Sequence, residues 1–286
     1  MFCQYGRGFG MAEKHDRLIR FLLPEARARG VIIRGKHIFA EAADVHGLVD
    51  EPKLMFGQTL LASLMLLSIS KGGVRQVLQL DATQSNTAIT RMQAETRSGA
   101  VRGYVQWSDA AVHQRQEHQG IAAWMGENML LSTVRDMGVG QPYVSTIQHN
   151  SEWLADYVLH YLKQSVQVHA DLILQDDLAI MIEAMPGSDD DYWFKAVESL
   201  AKISNASITN DAPETILKAF EHLGCQIVGE DLYAYACSCS DESMAVAMTS
   251  IPDEDLLDLA DEDGDVTLSC QYCKRISKIN IATQRS

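Results

Sequence analysis

Six cysteines occur in this 286-residue chain, and four of them stand in two close pairs near its end, Cys237-Ser238-Cys239 and Cys270-Gln271-Tyr272-Cys273. Thiolates are soft ligands, and a tetrahedral Zn2+ ion takes four of them; ligands that come two by two need little loop ordering within each pair. Cys237, Cys239, Cys270 and Cys273 are therefore the expected metal ligands, for one Zn2+ per chain in the reduced protein. Four thiolates close the coordination sphere and leave no position for a substrate or an activated water, so the expected site is structural or sensing and holds no catalytic residue. A plain structural clip and an oxidant-responsive centre share this ligand set, and the spacing alone does not separate them.

Such a site needs elements that bring the two pairs together. Leu232–Ala236 reads as a strand leading into the first pair, Asp263-Gly264 as a turn, and Val266–Cys270 as an alternating strand leading into the second. Met244–Met248 and Leu256–Leu259 suggest two short helices between them. A module spanning 231–286 with so few large apolar side chains is marginal on its core alone, so metal ligation is expected to supply much of its folding free energy, on the order of 10 kcal/mol. Withdrawing electrons from the thiols would remove the ligands and unfold the module.

Further upstream the pattern changes twice. A charged amphipathic opening (Arg17, Leu18, Phe21, Leu22) leads to strands at Val31–Ile33, Val74–Leu80, Val101–Trp107, Met129–Val134 and Tyr143–Gln148. Helices are expected over Leu54–Ile69 and over Trp153–Leu162, the latter capped by Asn150 or Ser151, and a hairpin joins Val166–Leu174 to Leu178–Ala184. Irregularly alternating strands and helices predict an α+β fold, with an N-terminal core over 11–187. From 188 to 230 the pattern is that of a helical linker, with an apolar stripe of Trp193, Phe194, Val197 and Leu200, and a second of Ile216, Leu217 and Phe220 after the helix start at Asp211-Ala212-Pro213. Residues 1–10, with Cys3, read as an extension ahead of Met11 and outside the expected fold.

Composition narrows the function. With 47% hydrophobic residues the chain can bury a sizeable core, while a net charge of -14 works against holding nucleic-acid phosphates. The absence of a basic region followed by a long apolar run at Met1–Gly10 argues against secretion, and Leu54–Ile69 reads as a buried helix; a cytoplasmic location without membrane attachment is the expectation. No phosphate-binding glycine loop, nucleophile elbow or HExxH occurs, so an enzyme is not expected. Cys225 reads as an inert buried thiol and His113 and His118 as solvated loop residues; Asp261–Asp265 lacks the ligand spacing of a calcium loop. The alternative of a zinc ribbon recognising nucleic acid or a protein rests on Lys274, Arg275, Lys278 and Arg285.

The ordered CxC and CxxC pairs, with Leu256-Leu257 and Glu262-Asp263-Gly264 between them, resemble the redox-regulated chaperones of the 33-kDa heat-shock protein family. Weaker likeness extends from His15-Asp16-Arg17-Leu18 through Leu154-Ala155-Asp156-Tyr157. The resemblance implies a holdase without ATPase activity, inactive while reduced and zinc-bound. It further implies that oxidation pairs Cys237 with Cys239 and Cys270 with Cys273, releases zinc, unfolds the linker, and yields homodimers that hold unfolded client proteins and prevent aggregation. The chain departs from the family in having Ser240-Asp241-Glu242 where basic residues are usual, and Lys274-Arg275-Ile276 where glycine and an aromatic residue are usual.

Overall fold

Asp16–Leu23 opens the fold as strand β1, its Leu18, Ile19, Phe21 and Leu23 buried because helices cover both faces of the sheet around it. The computed structural model describes residues 15–70, 72–109 and 117–280; Met1–Gly10 with Cys3, Met11, His113 and Arg285 lie outside the described residues. The chain divides into two compact units, Met1–Tyr235 and Ala236–Ser286.

In the first unit β1 is followed by β2 (Ala28–Arg34), α1 (Lys36–His46), α2 (Asp50–Ile69), β3 (Arg75–Asp81), β4 (Ile89–Arg97) and β5 (Ala100–Trp107). Next come α3 (Ala122–Met125), β6 (Leu130–Asp136), β7 (Tyr143–Gln148), α4 (Leu154–Tyr161), β8 (Ala170–Gln175) and β9 (Leu178–Ala184). Then α5 (Asp190–Ala201), α6 (Asn205–Asn210), α7 (Pro213–Leu217), a 3-10 turn (Lys218–Leu223) and β10 (Gln226–Tyr235) complete the unit. Ten strands form one sheet in the order β7-β6-β3-β4-β5-β10-β1-β2-β9-β8. All neighbours run antiparallel except β10 and β5, which are parallel and paired only at Ala234 with Ala100 and Tyr235 with Val101. The expected α+β class is the observed one.

Helix α2 carries the main core. It is long and apolar enough to cross a membrane by length and composition, yet 72% of that window is buried inside the protein. Leu60, Leu61, Leu64 and Met65 pack against Leu78, Met92, Val101 and Leu131 of the sheet, with α1 and α4 alongside. Gly57 lets α1 approach, since a Cβ there would come 2.4 Å from the Phe39 ring. The N-terminus of α1 receives its cap from the sheet: Asp16 on β1 accepts hydrogen bonds from the amides of His37 (3.1 Å) and Ile38 (2.7 Å). Helix α4 starts at Leu154, and its N-cap position is taken by Trp153, not by the expected Asn150 or Ser151. Ser151 accepts from the Trp153 amide at 3.1 Å and bonds Asp156, so it braces the turn before the helix and does not cap it, because Trp153 itself takes the extended N-cap conformation.

On the opposite face, α5, α6, α7 and the 3-10 turn form an apolar roof over β1, β2 and β9. Ala196, Leu200, Ile208, Ile216, Leu217, Phe220 and Leu223 meet Ile19, Phe21, Ile32, Ile180 and Ile182. The helix start at Pro213 is as expected, with proline at the first helical position. The stripe predicted on α5 needs one correction: Phe194 is 65% exposed, and Ala196 takes the buried place, because the helix turns Leu200 and Ala196 toward the sheet and Phe194 away from it.

Where the sheet lacks a helical cover, charges supply cohesion. Glu95 on β4 is 3% exposed and accepts from Arg75 (2.9 Å), Arg102 (2.9 Å) and Arg97 (3.2 Å). Burial pushes its carboxyl up, but the Arg75 hydrogen bond and the charges of Arg102, Arg75 and Arg97 outweigh that and hold it below the usual carboxylate range. A depressed folded-state value contributes stability above the unfolded-state value, lost as pH falls through the folded one. Urea titrations of Glu95→Gln should show a loss of about 2 kcal/mol at neutral pH. The gap to wild type should shrink as pH drops below ordinary carboxylate values; an equal gap across that range would contradict this account.

Candidate metal centre

The second unit contains α8 (Asp241–Met248), α9 (Asp253–Leu259) and a hairpin of β11 (Asp265–Ser269) and β12 (Ile276–Asn280). Its core is five buried apolar residues, Met244, Met248, Leu256, Val266 and Ile279, with Cys239 and Cys270 packed against them. So small a core cannot offset the entropy of ordering the unit. The cysteines sit where the backbone is most tightly specified. Cys237 and Cys239 precede Ser240, whose hydroxyl accepts from the Ser243 amide (3.2 Å) while the Ser243 hydroxyl accepts from the Ser240 amide (2.8 Å), a reciprocal cap on α8.

Cys270 and Cys273 lie in the hairpin loop. There the Lys274 amide donates to the Cys270 carbonyl (2.8 Å) and the Cys270 amide to the Arg275 carbonyl (2.9 Å). Lys274 takes the left-handed conformation that this tight loop requires. The acidic run is a helix followed by a turn: Asp261 accepts from the amides of Asp263 (3.1 Å) and Asp265 (2.9 Å), which commits its carboxylate to the backbone.

These constraints bring together all four predicted ligands. Their sulfur atoms lie within 4.8 Å of one another, with Cys237 and Cys270 at 3.8 Å and Cys239 and Cys273 at 3.2 Å. Tetrahedral Zn–S bonds of about 2.3 Å set sulfurs about 3.8 Å apart, so the cluster has the size the ion needs. The electrostatics agree. Without a cation, burial pushes the Cys239 thiol up, hydrogen bonding among the sulfurs adds to the shift, and burial raises Cys273 as well. Four thiolates at such range repel, and a dication reverses that penalty. Among the described residues this is the one group of three or more side chains that could hold a metal. His118 instead faces Glu127 at 3.9 Å, and burial with the nearby Glu221 pushes the Cys225 thiol up, the state of an unreactive thiol.

Three residues that ligand spacing does not reveal link the segments behind the two pairs. Asp241, just past the first pair, accepts from Arg275 (3.0 Å) and Ser277 (2.6 Å), just past the second. The two departures from the expected family pattern, acidic after one pair and basic after the other, thus face one another. Lys278 likewise meets Asp261 at 3.5 Å. Two of the described cations of the basic tail, Arg275 and Lys278, are therefore engaged with acidic neighbours in their own unit.

Sheet, roof and thiol cluster together define a two-unit α+β protein with a CxC and CxxC centre in its C-terminal unit. Comparison with known proteins extends this: the family description "Hsp33 protein" matches residues 16–280. The chain belongs to the Hsp33 family, and it is a chaperone of that family with a C-terminal cysteine cluster. Among curated relatives, the 33 kDa chaperonin of Lactobacillus delbrueckii subsp. bulgaricus is 26% identical over 276 residues, covering 91% of this chain and 92% of its own. That of Bacillus subtilis is 26% identical over 277 residues, with 90% and 93% covered. The crystal structure of the 33 kDa chaperonin from Thermotoga maritima shares the fold, with a TM-score of 0.75 at 18% identity over 95% of this chain and 97% of that one.

Proposed function

We propose that this chain is a holdase whose client binding is switched on by thiol oxidation. In the reduced protein Cys237, Cys239, Cys270 and Cys273 would hold one Zn2+, and the observation carrying the reading is their convergence within 4.8 Å in a unit with a five-residue core. Bound zinc would supply a counter-charge for four thiolates and a cross-link between the hairpin loop and the start of α8. Two equivalents of a peroxide-class oxidant would take two electrons from each pair, forming the Cys237–Cys239 and Cys270–Cys273 disulfides while the peroxide oxygens leave as water.

Disulfides are poor metal ligands, so the second unit would lose the interaction that folds it. Loss of the roof over β1, β2 and β9 would then expose Ile19, Phe21, Ile32, Ile180 and Ile182, an apolar face able to hold unfolded chains. Dimerisation of the oxidised form and action in the cytosol belong to the same proposal, as does the absence of catalysis. Zinc-loaded reduced protein treated with peroxide under mild heat should release its metal and then suppress aggregation of a denatured client. Release of the metal with no suppression would refute the chaperone switch.

A further inference from the structure

Strand β10 stands between β5 and β1 in the sheet, yet it is held unlike its neighbours. Of its ten residues only Tyr233 is buried, and Ile227, Val228 and Leu232 are about half exposed. Its link to β5 is the two-residue parallel contact at Ala234 and Tyr235. Along β1 it pairs from Tyr233 with Asp16 to Gln226 with Leu22, but the ladder is interrupted between Arg20 and Phe21, where Val228 is the extra residue of a bulge. Side-chain support comes from ion pairs at the surface, Arg17 with Glu230 and Arg20 with Asp231, which contribute little in water. Apolar anchoring is confined to the end of the strand, where Tyr233 enters the main core and the Tyr235 hydroxyl donates to the Gly103 carbonyl (2.9 Å) and meets His46 (2.8 Å); from Gln226 to Leu232 backbone pairing with β1 keeps β10 in place.

Its position in the chain matters as much. The roof segment runs into β10 at one end through Gly224 and Cys225, and Cys237 lies two residues beyond its other end. Under the redox reading on which this inference rests, both flanks of β10 lose their fold together. From Gln226 to Leu232, ahead of the Tyr233 and Tyr235 anchors, little besides that pairing holds the strand, and its release would present the backbone groups of Arg17–Leu22 along an open edge. β1 itself stays fixed by β2 on its other side and by Leu18 and Ile19 in the two cores.

We propose that β10 is a releasable strand, and that the β1 edge it vacates binds extended, β-prone segments of unfolded proteins by adding them to the sheet. Main-chain pairing is indifferent to client sequence, which suits a protein that must take many partners, and it selects for segments able to extend. This surface is distinct from the apolar face beneath the roof, which recognises side chains.

The experiment uses the full chain, reduced with zinc or oxidised with peroxide under mild heat, and follows amide hydrogen exchange in segments 16–23 and 226–235. Two probes are added: a peptide with the sequence of residues 226–235, and the same peptide N-methylated at alternate amides, which keeps the side chains and removes donors. Oxidation should accelerate exchange in both segments by at least about tenfold. The plain peptide should restore protection to 16–23 and displace a denatured client, while the methylated one should do neither.

Segment 16–23 staying protected in an oxidised chain that suppresses aggregation would overturn the inference and leave the holdase reading standing. Equal competition by both peptides would do the same, in favour of the apolar face. Concentration-dependent protection of 16–23 without peptide would replace the client with a second copy of this chain and so overturn the proposal. Failure of the oxidised chain to suppress aggregation at all would sink the holdase reading, and this inference with it.

Discussion

Cys239→Ser and Cys270→Ser are each expected to abolish stoichiometric metal binding and to leave 236–286 unfolded while the sheet and the α2 core of 16–187 keep their structure. The asymmetry follows from the two cores. The first unit has dozens of buried apolar side chains on both faces of its sheet, whereas the second has five, of which two are methionines. Structural zinc contributes on the order of 10 kcal/mol to a small domain, far above the roughly 1 kcal/mol that a helix cap such as Ser240 supplies. Removing one thiolate weakens the ligand set, and it also removes packing against the small core, since Cys239 and Cys270 both touch it.

Two measurements check this. Metal content of the reduced variants should fall toward zero, and limited proteolysis should cut readily beyond Gly187 but not within the sheet and α2 core that precede it. A chelator acting on the wild-type protein should reproduce the pattern. A serine variant that retains full metal content, or one whose C-terminal unit resists protease without metal, would show that the quartet is not what folds this unit.

How much of this was readable beforehand depended on whether the signal was local. The CxC and CxxC spacing identified all four clustered thiols, because ligand chemistry constrains neighbours in sequence. Strand β5 is legible because one face is buried and alternation follows, whereas β8 and β9 are legible as apolar runs on either side of the turn at Gln175-Asp176-Asp177, β9 being buried on both faces. Strand β4 (Ile89–Arg97) was not: its inward face is Met92, Ala94 and Thr96, and its outward face carries Glu95 among arginines, so charge where exposure is expected hides a buried group. Strand β12 reads as a basic tail because Lys274, Arg275 and Lys278 look like solvated cations until Asp241 and Asp261 are placed opposite two of them. Side-chain size alone places Phe194 on the α5 stripe, whereas position on the helix turns the smaller Ala196 inward. Long-range pairings such as β10 with β1, or Asp16 capping α1, leave no periodic trace.

Phe220→Ala is expected to produce a chaperone that no longer waits for oxidation. Phe220 is fully buried at the heart of the roof, its ring 5.7 Å from that of Phe21 on β1. Truncating a buried phenylalanine costs about 3–5 kcal/mol through lost burial and the cavity left behind. The loss falls on elements poor in independent stability: α6 has six residues, α7 has five, and the 3-10 turn has six. Helices that short do not persist without the surface they cover. Since the larger core around α2 does not include Phe220, the roof should detach before the sheet unfolds. Reduced, metal-loaded Phe220→Ala should therefore suppress client aggregation without peroxide, with raised exchange in 188–224 and unchanged zinc content. Phe220→Leu, which keeps much of the volume, should stay close to the oxidant-dependent behaviour of the wild type. Phe194→Ala, on the exposed side of α5, should shift stability by no more than about 0.5 kcal/mol. If Phe220→Ala loosens 188–224 and the reduced protein still ignores the client, roof release is not the step that uncovers the client-binding surface. If the loss instead reaches the α2 core, the two faces of the sheet fold as one cooperative body and the roof cannot act as a separate switch.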